Sequence, residues 1–285
     1  AQSDAIDMET LVAKMEQGQN DASFQRSIQE LIPLLRLQLI DERRALVLRA
    51  ILLLCRCASG KQYSKERKQD ATQALGQLAA DETTNYLVAY MFATETDPKT
   101  RDTLNQILAF LGSQIARRLM EILADESAAP KRKLLNEVLT RTGAVALPII
   151  HEYLNDDRWF VVRNAIAILG DIRHQDSLAQ LTPLLEHDEI RVRRETIRAL
   201  TKIGGNRAIK ILLQAALAKD QELRRQAILS LGAIRAASAV PTLLSLLQRS
   251  DWSQRAIDFK KDTIRALGEI RSPEAIPELT KIVKK

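Results

Sequence analysis

The clearest pattern in the sequence is a stretch of apolar and polar positions that recurs at a regular distance. It begins at Arg163, returns at Arg194 and Arg225 after equal spacings, and returns at Lys261 after a slightly longer one. In each copy the apolar residues fall three or four positions apart, which predicts an amphipathic α-helix with one buried face. Self-similarity at such a period is the signature of a repeat protein.

A second apolar pattern keeps the same register and predicts a second helix in each repeat. Its matching positions are Leu147, Leu178, Ile209, Val240 and Ile276. Proline follows directly in three repeats, at Pro148, Pro241 and Pro277. Because proline lacks an N–H and has a fixed φ, it suits the start of a helix. Each repeat is therefore predicted to be a pair of helices, joined by a short polar turn whose aspartates can cap the second helix.

These helix pairs resemble HEAT repeats, in the short variety found in bacterial HEAT-like and phycobilin-lyase-like proteins. The resemblance is carried by Asp157, Val161, Arg163, Ala165, Leu169 and Gly170 and by their echoes in the later repeats. It is strong over residues 144–285, fades over residues 81–143 and cannot be read over residues 1–80. Thr201 in place of glycine, Lys261 in place of arginine and an insertion near residues 249–259 depart from the pattern. The resemblance implies an all-α, right-handed α-solenoid.

The region 1–80 predicts three or four helices, roughly over residues 5–17, 22–38, 41–58 and 65–79. Leucine-rich faces favour a packed region, either an amino-terminal cap or a set of degenerate repeats. A third interpretation is the junction to a further domain, because the sequence begins Ala1-Gln2-Ser3 without a methionine. Other domains of a longer parent chain are therefore among the candidate partners.

Composition supports a folded helical protein with an aliphatic core. Hydrophobic residues make up 46% of the chain, charged residues 27% and aromatic residues 4%. Arg49 and Arg56 interrupt the longest apolar run, so no membrane span is predicted. Cys55 and Cys57 lie two positions apart on that run, which in a helix separates them too far for a disulfide. Buried free thiols predict a reducing, cytoplasmic location.

Four cations occupy one repeat position and should lie side by side along a solenoid. They are Arg163, Arg194, Arg225 and Lys261, here called the basic row. One hypothesis makes the row a strip that binds phosphates, since the net charge of +6 permits a nucleic-acid partner. The favoured hypothesis is a structural ladder in which each cation pairs with an inter-helix aspartate, as the HEAT resemblance implies. Those aspartates are Asp157, Asp188 and Asp220.

The outward positions of the second helices should line the concave face, if the geometry of the resembled family holds. They include Phe160, Asn164, Arg191, Glu195, Arg198, Lys202 and Gln226. Charges of both signs suit a protein or peptide partner better than a uniform polyanion. Trp159 and Trp252 each follow a turn that contains aspartate, and tryptophan is a frequent interface anchor. The alternative for both is packing against the next repeat.

No motif in the sequence points to catalysis, a cofactor or a metal. His151, His174 and His187 are dispersed, and His151-Glu152 lacks the further His-Glu pairs that iron hydroxylases with HEAT repeats require. Gly-rich phosphate loops and nucleophile elbows are also missing. We therefore expect a non-enzymatic scaffold that binds a protein or peptide. The alternatives are a nucleic-acid binder and, less favoured, a lyase or DNA glycosylase with a HEAT-like fold.

Overall fold

The computed structural model describes residues 7–18, 20–38, 44–93, 97–249 and 254–283, and these contain helices and no β-strand. The first eight α-helices are α1 Met8–Glu16, α2 Asp21–Gln38, α3 Arg44–Ser59, α4 Lys65–Leu78, α5 Asp81–Phe92, α6 Pro98–Leu111, α7 Ser113–Asp125 and α8 Ala129–Thr142. The remainder are α9 Leu147–Glu152, α10 Trp159–Ile172, α11 Leu178–Leu181, α12 Ile190–Ile203, α13 Gly205–Ala215, α14 Gln221–Ala233, α15 Val240–Arg249, α16 Gln254–Ile270 and α17 Ile276–Val283.

The chain divides into two compact units. The amino-terminal unit ends at Ala146 and the carboxyl-terminal unit begins at Leu147. The four helices predicted for the region 1–80 are confirmed as α1 to α4, with ends that differ by a few positions. Residues 1–80 and 81–143, which the sequence analysis treats separately, belong to the same compact unit.

The carboxyl-terminal unit is built from the predicted helix pairs. Its second helices are α10, α12, α14 and α16, and each packs beside the next in chain order. The repeated apolar positions are buried between them, with Ile166 and Leu169 fully enclosed and Ile197 and Leu200 at most 1% exposed. Short 3₁₀ turns precede several of the first helices, and Pro148, Pro241 and Pro277 are each the second residue of their helix. The all-α solenoid class is thereby confirmed.

Glycine at one repeat position controls how closely the second helices approach. A Cβ at Gly170 would lie 2.8 Å from Ala199 Cα, and one at Gly232 would lie 2.7 Å from Ala266 Cα. Thr201 occupies this position in α12, and α12 and α14 share less packing surface than the pairs α10/α12 and α14/α16. The side chains between α12 and α14, among them Ile190, Ile197 and Leu223, nevertheless leave no room for a water-sized group.

Candidate partner-binding surface

Two members of the basic row form ion pairs between neighbouring helices, although with other carboxylates than the sequence predicted, and Arg163 instead donates to Asn164 Oδ1 at 3.3 Å. Arg194 Nη2 lies 2.9 Å from Glu222 Oε1, and Arg225 Nε lies 2.7 Å from Asp262 Oδ2. Lys261 lies 3.8 Å from Asp258 on its own helix. The prediction that the row pairs with Asp157, Asp188 and Asp220 is therefore wrong. The row lies over the neighbouring second helix, so the carboxylates on that helix are within reach.

Two of the inter-helix aspartates, Asp188 and Asp220, instead contact Arg193, the residue before Arg194. Arg193 Nη1 donates to the carbonyl oxygens of His187 and Asp188 at 2.8 and 2.9 Å. Its Nη2 lies 3.5 Å from Asp220 Oδ2. Asp220 also accepts from the backbone N–H of Leu223 at 2.6 Å and so caps α14. The aspartate caps predicted from the two earlier turns are wrong, because α10 has no side-chain cap and Glu189, not Asp188, caps α12. The loop contact expected of Arg194 thus belongs to Arg193.

The predicted outward positions fall into two classes. Arg198 and Lys202 are exposed, and they pair with Glu195 at 3.3 Å and with Asp171 at 2.7 Å. Gln226 is half-buried and donates to Glu222 at 3.0 Å. Asn164 is only 6% exposed, so its assignment to an open face is wrong. Its repeat position lies at the seam between adjacent second helices.

An aromatic and cationic cluster lies where α10 and α12 begin. The guanidinium carbon of Arg191 lies 3.6 Å from the ring centroid of Trp159, and Phe160 meets the same indole edge-on at 5.9 Å. Trp159 is half-buried by this contact. It therefore packs on the next repeat, as one of the two sequence interpretations held. We call Trp159, Phe160, Ile190 and Arg191 the anchor cluster.

Glu189 fixes the orientation of Arg191. Its carboxylate accepts from Arg191 Nε at 2.9 Å and Nη2 at 3.0 Å, and from the backbone N–H of Arg191 at 3.1 Å. These hydrogen bonds, the side-chain ones above all, lower the pKa of Glu189 to about 2. Glu189 is therefore charged throughout the physiological range. A bidentate pair presents the flat guanidinium in one orientation, which holds it stacked on the indole.

Ile190 belongs to the cluster and was missed by sequence reasoning. It is 36% exposed and Phe160 is 39% exposed, so two large apolar side chains face solvent beside the stacked pair. Ile190 follows Trp159 by one repeat, at the first position of the second helix. Large apolar residues at that position in two successive repeats were a signal that could have revealed it. Trp252 lies outside the described residues.

The described residues contain no group of three or more His, Cys, Asp or Glu side chains placed to hold a metal ion. His151 Nε2 lies 3.1 Å from Ser177 Oγ, and burial lowers the pKa of this histidine. Among the helices described, none combines the length and apolarity needed to cross a bilayer.

Stacked helix pairs and a face crossed by regular ion pairs define an α-helical repeat protein. The family model for HEAT repeats matches residues 146–222 and 212–285. The chain belongs to the HEAT-repeat family through this carboxyl-terminal half. No curated protein matches the sequence.

Solved structures with a similar arrangement are distant. Human deoxyhypusine hydroxylase in complex with glycerol shares 19% identity, with 79% of this chain and 96% of that chain covered and a TM-score of 0.35. Kap121p bound to Nup53p shares 13% identity, with 96% of this chain covered and a TM-score of 0.42. The match spans 37% of the Kap121p chain. An engineered protein shares 19% identity, with 84% and 96% of the two chains covered and a TM-score of 0.32.

Proposed function

We propose that the chain is a non-enzymatic scaffold that binds a protein or peptide through the anchor cluster. The observation that carries this proposal is Arg191, held by Glu189 and stacked 3.6 Å from Trp159 beside exposed Phe160 and Ile190. Tryptophan, arginine and large apolar residues dominate the energetics of protein interfaces. A cluster that is ordered before binding loses little entropy when a partner docks.

The surroundings of the cluster suit an extended peptide segment. Ile190 also borders the packed seam between α12 and α14, so Phe160 and Ile190 form the exposed edge of an apolar strip that ends at buried Leu223. Ion pairs at Arg194–Glu222 and Arg198–Glu195 surround this apolar strip. An apolar centre with a polar, charged rim is the usual anatomy of a protein interface.

A nucleic-acid partner is the less favoured alternative. Arg194, Arg225 and Lys202 each lie within 2.9 Å of a carboxylate on a neighbouring helix, which offsets much of the positive charge on this face. Nucleic-acid affinity depends on cations that are free to neutralise phosphates.

The buried free thiols of Cys55 and Cys57 favour a reducing compartment, so we place the scaffold in the cytoplasm.

The test is selection of binders from a displayed library of random peptides against the full chain. Peptides enriched on the wild type should lose at least about tenfold in affinity for a Phe160→Ser, Ile190→Ser double variant, because two apolar contacts are removed. Leu217→Ser is the matched control, since Leu217 is 59% exposed in the same unit but away from the cluster. Tryptophan fluorescence reports binding directly, because Trp159 forms part of the surface.

Two results would contradict the proposal. The first is a set of enriched peptides whose affinity falls no further in the double variant than in Leu217→Ser. The second is steeply salt-dependent binding of duplex DNA that is lost with Arg191→Glu and Arg198→Glu together, because this would assign the face to a polyanion.

A further inference from the structure

Arginine occupies a left-handed backbone position at the end of three second helices. Arg173, Arg235 and Arg271 have φ angles of 59°, 52° and 58°, and they share one repeat position with Gly204, whose φ is 64°. Glycine is the usual residue at this place because a Cβ is strained there. The two residue types end their helices differently, since Arg173 has a ψ of 31° and Gly204 a ψ of −159°. Glycine adopts the left-handed conformation of Arg173 without strain, so the backbone alone does not account for an arginine there.

The arginine side chains also have no structural partner within the described residues. All three are exposed, and none forms an ion pair or a side-chain hydrogen bond there. This contrasts with the basic row, where Arg194 and Arg225 are paired across helices. A cation near a helix carboxyl end interacts favourably with the helix dipole, but one in the last helical turn would do so without strain.

Two of these arginines line one cleft at the carboxyl ends of α14 and α16. The cleft has a volume of about 380 Å³ and is lined by Arg235, Arg265, Arg271 and Glu269, together with Gly232 and Gly268. Arg265 Nε lies 3.0 Å from Glu269 Oε1, so these two charges offset each other. Arg235 and Arg271 remain, and they leave two positive charges in the cleft.

We propose that this cleft binds a phosphate monoester. Such a group carries a charge of roughly −1.5 to −2 at neutral pH and has three acceptor oxygens, which matches two unpaired guanidinium groups. A Cβ at Gly268 would meet nothing within 4 Å, so no side chain fills the cleft at this position. The site lies at the opposite ends of the second helices from the anchor cluster, so it goes beyond the proposed function and does not depend on it.

The ligand chemistry has two sources, a phosphorylated peptide and a small free phosphate compound, and the probes distinguish them. Binding to the full chain is measured at about 50 mM salt, where screening is modest. The probes are a fluorescent peptide with one phosphoserine, its unphosphorylated form, its glutamate form, and inorganic phosphate as competitor. We expect the phosphoserine peptide to bind and the unphosphorylated peptide not to bind. Displacement by millimolar or lower inorganic phosphate indicates the small compound, and resistance to it indicates the peptide.

The decisive variant is Arg235→Gly with Arg271→Gly. Glycine keeps the left-handed turns, so the melting temperature should stay level or rise, while the affinity for the phosphoserine peptide falls at least about tenfold. Arg207→Ala is the control, because it removes an exposed charge of the same unit outside the cleft. A Phe160→Ser, Ile190→Ser variant should retain phosphate binding even if the anchor cluster has no partner.

Several results would overturn the site. One is the absence of phosphoserine binding by the wild type at low salt. Another is a double glycine variant that binds as the wild type does, or that melts about 2–4 °C lower with unchanged binding, which would make the arginines structural. Equal binding of the glutamate peptide, or tighter binding of duplex DNA through the same arginines, would remove the monoester assignment.

Discussion

The two compact units hold their helices together in different ways. In the carboxyl-terminal unit, contacts repeat: glycine faces alanine at Gly170 and again at Gly232, and ion pairs cross the seams between successive second helices. In the amino-terminal unit, a single large contact stands out. Arg67 is 9% exposed, with Nε 3.0 Å from Asp21 Oδ1 and its guanidinium carbon 4.8 Å from the Phe24 ring centroid.

This difference explains why a period can be read in one half of the sequence and not in the other. A contact made by small residues that recurs at one repeat position, as at Gly170 and Gly232, leaves a regular trace in the sequence. A contact made by one arginine between α2 and α4 restricts only that arginine and its partners. The amino-terminal unit also encloses a buried apolar core, but its Arg67 contact occurs once.

The sequence supplies a separate probe for each unit. Both tryptophans, Trp159 and Trp252, belong to the carboxyl-terminal unit, so their fluorescence follows that unit. Both cysteines belong to the amino-terminal unit and are buried, and burial raises the pKa of Cys55 to about 12 and also raises that of Cys57. Thiol labelling near pH 8 therefore reports opening of the amino-terminal unit, since the buried thiols are unreactive.

The largest effect should follow from Arg67→Ala in the amino-terminal unit. The change removes a buried stem and its ring contacts and leaves Asp21 without its hydrogen-bond donor, for an expected loss of about 3 kcal/mol. Labelling of Cys55 and Cys57 in the native protein should accelerate by roughly 100-fold. Lys65→Ala, an exposed change on the same helix, is the control, and acceleration of similar size there would contradict the anchoring role of Arg67.

The next largest expected effect is a change in stability that has opposite signs at two glycines sharing one repeat position. Gly170→Ala places a Cβ 2.8 Å from Ala199 Cα, so the helices must separate, at a cost of about 2 kcal/mol. Gly268→Ala meets nothing within 4 Å and should stabilise its helix by about 0.5–1 kcal/mol. Urea denaturation followed by tryptophan fluorescence measures both. Two changes of the same sign would show that close approach at this position is not what holds the repeats.

How far the sequence predicts these features depends on whether a contact recurs. The helix pairs, the proline starts and the buried aliphatic positions were predictable because each appears in several repeats. The partners of the basic row were not, since Glu222 and Asp262 lie one helix away at different repeat positions and nothing local links them to Arg194 and Arg225. Asn164 was misplaced for a related reason. The spacing of apolar residues along one helix does not show whether a polar position lies against a neighbouring helix or faces solvent.

The stacked pair at the anchor cluster was only partly predictable. Trp159 and Arg191 were both candidates, but their contact depends on Glu189 turning the guanidinium onto the ring, which the order of residues does not reveal. The left-handed arginines were not predicted because sequence rules place glycine at left-handed positions after a helix. Strain at Arg173, Arg235 and Arg271 is visible only in the backbone angles.

A smaller effect, with the opposite sign to Arg67→Ala, is expected at Asn105 in the same unit. Asn105 is 5% exposed and its Oδ1 has no hydrogen-bond partner among the described residues. Asn105→Leu keeps the shape and removes the unsatisfied oxygen, so stability should rise by about 1 kcal/mol. Slower labelling of Cys55 and Cys57 would show the gain. Faster labelling would mean that the amide is satisfied in solution.

The smallest effect concerns one polar contact between repeats in the carboxyl-terminal unit. Burial lowers the pKa of His151, and nearby Asp176 only partly opposes this shift. The folded-state pKa therefore lies below the unfolded value near 6.5, and the unfolded chain takes up the proton first as the pH falls. Stability from this group is present above about pH 6.5 and is lost below it.

His151→Gln can keep a hydrogen bond to Ser177 and does not titrate. Urea midpoints from tryptophan fluorescence at about pH 7.5 and about pH 5.5 should differ more in the wild type than in the variant. If the urea midpoints of the two proteins differ equally between the two pH values, groups other than His151 cause the pH dependence. The apolar contacts between helices are then the main link between these repeats.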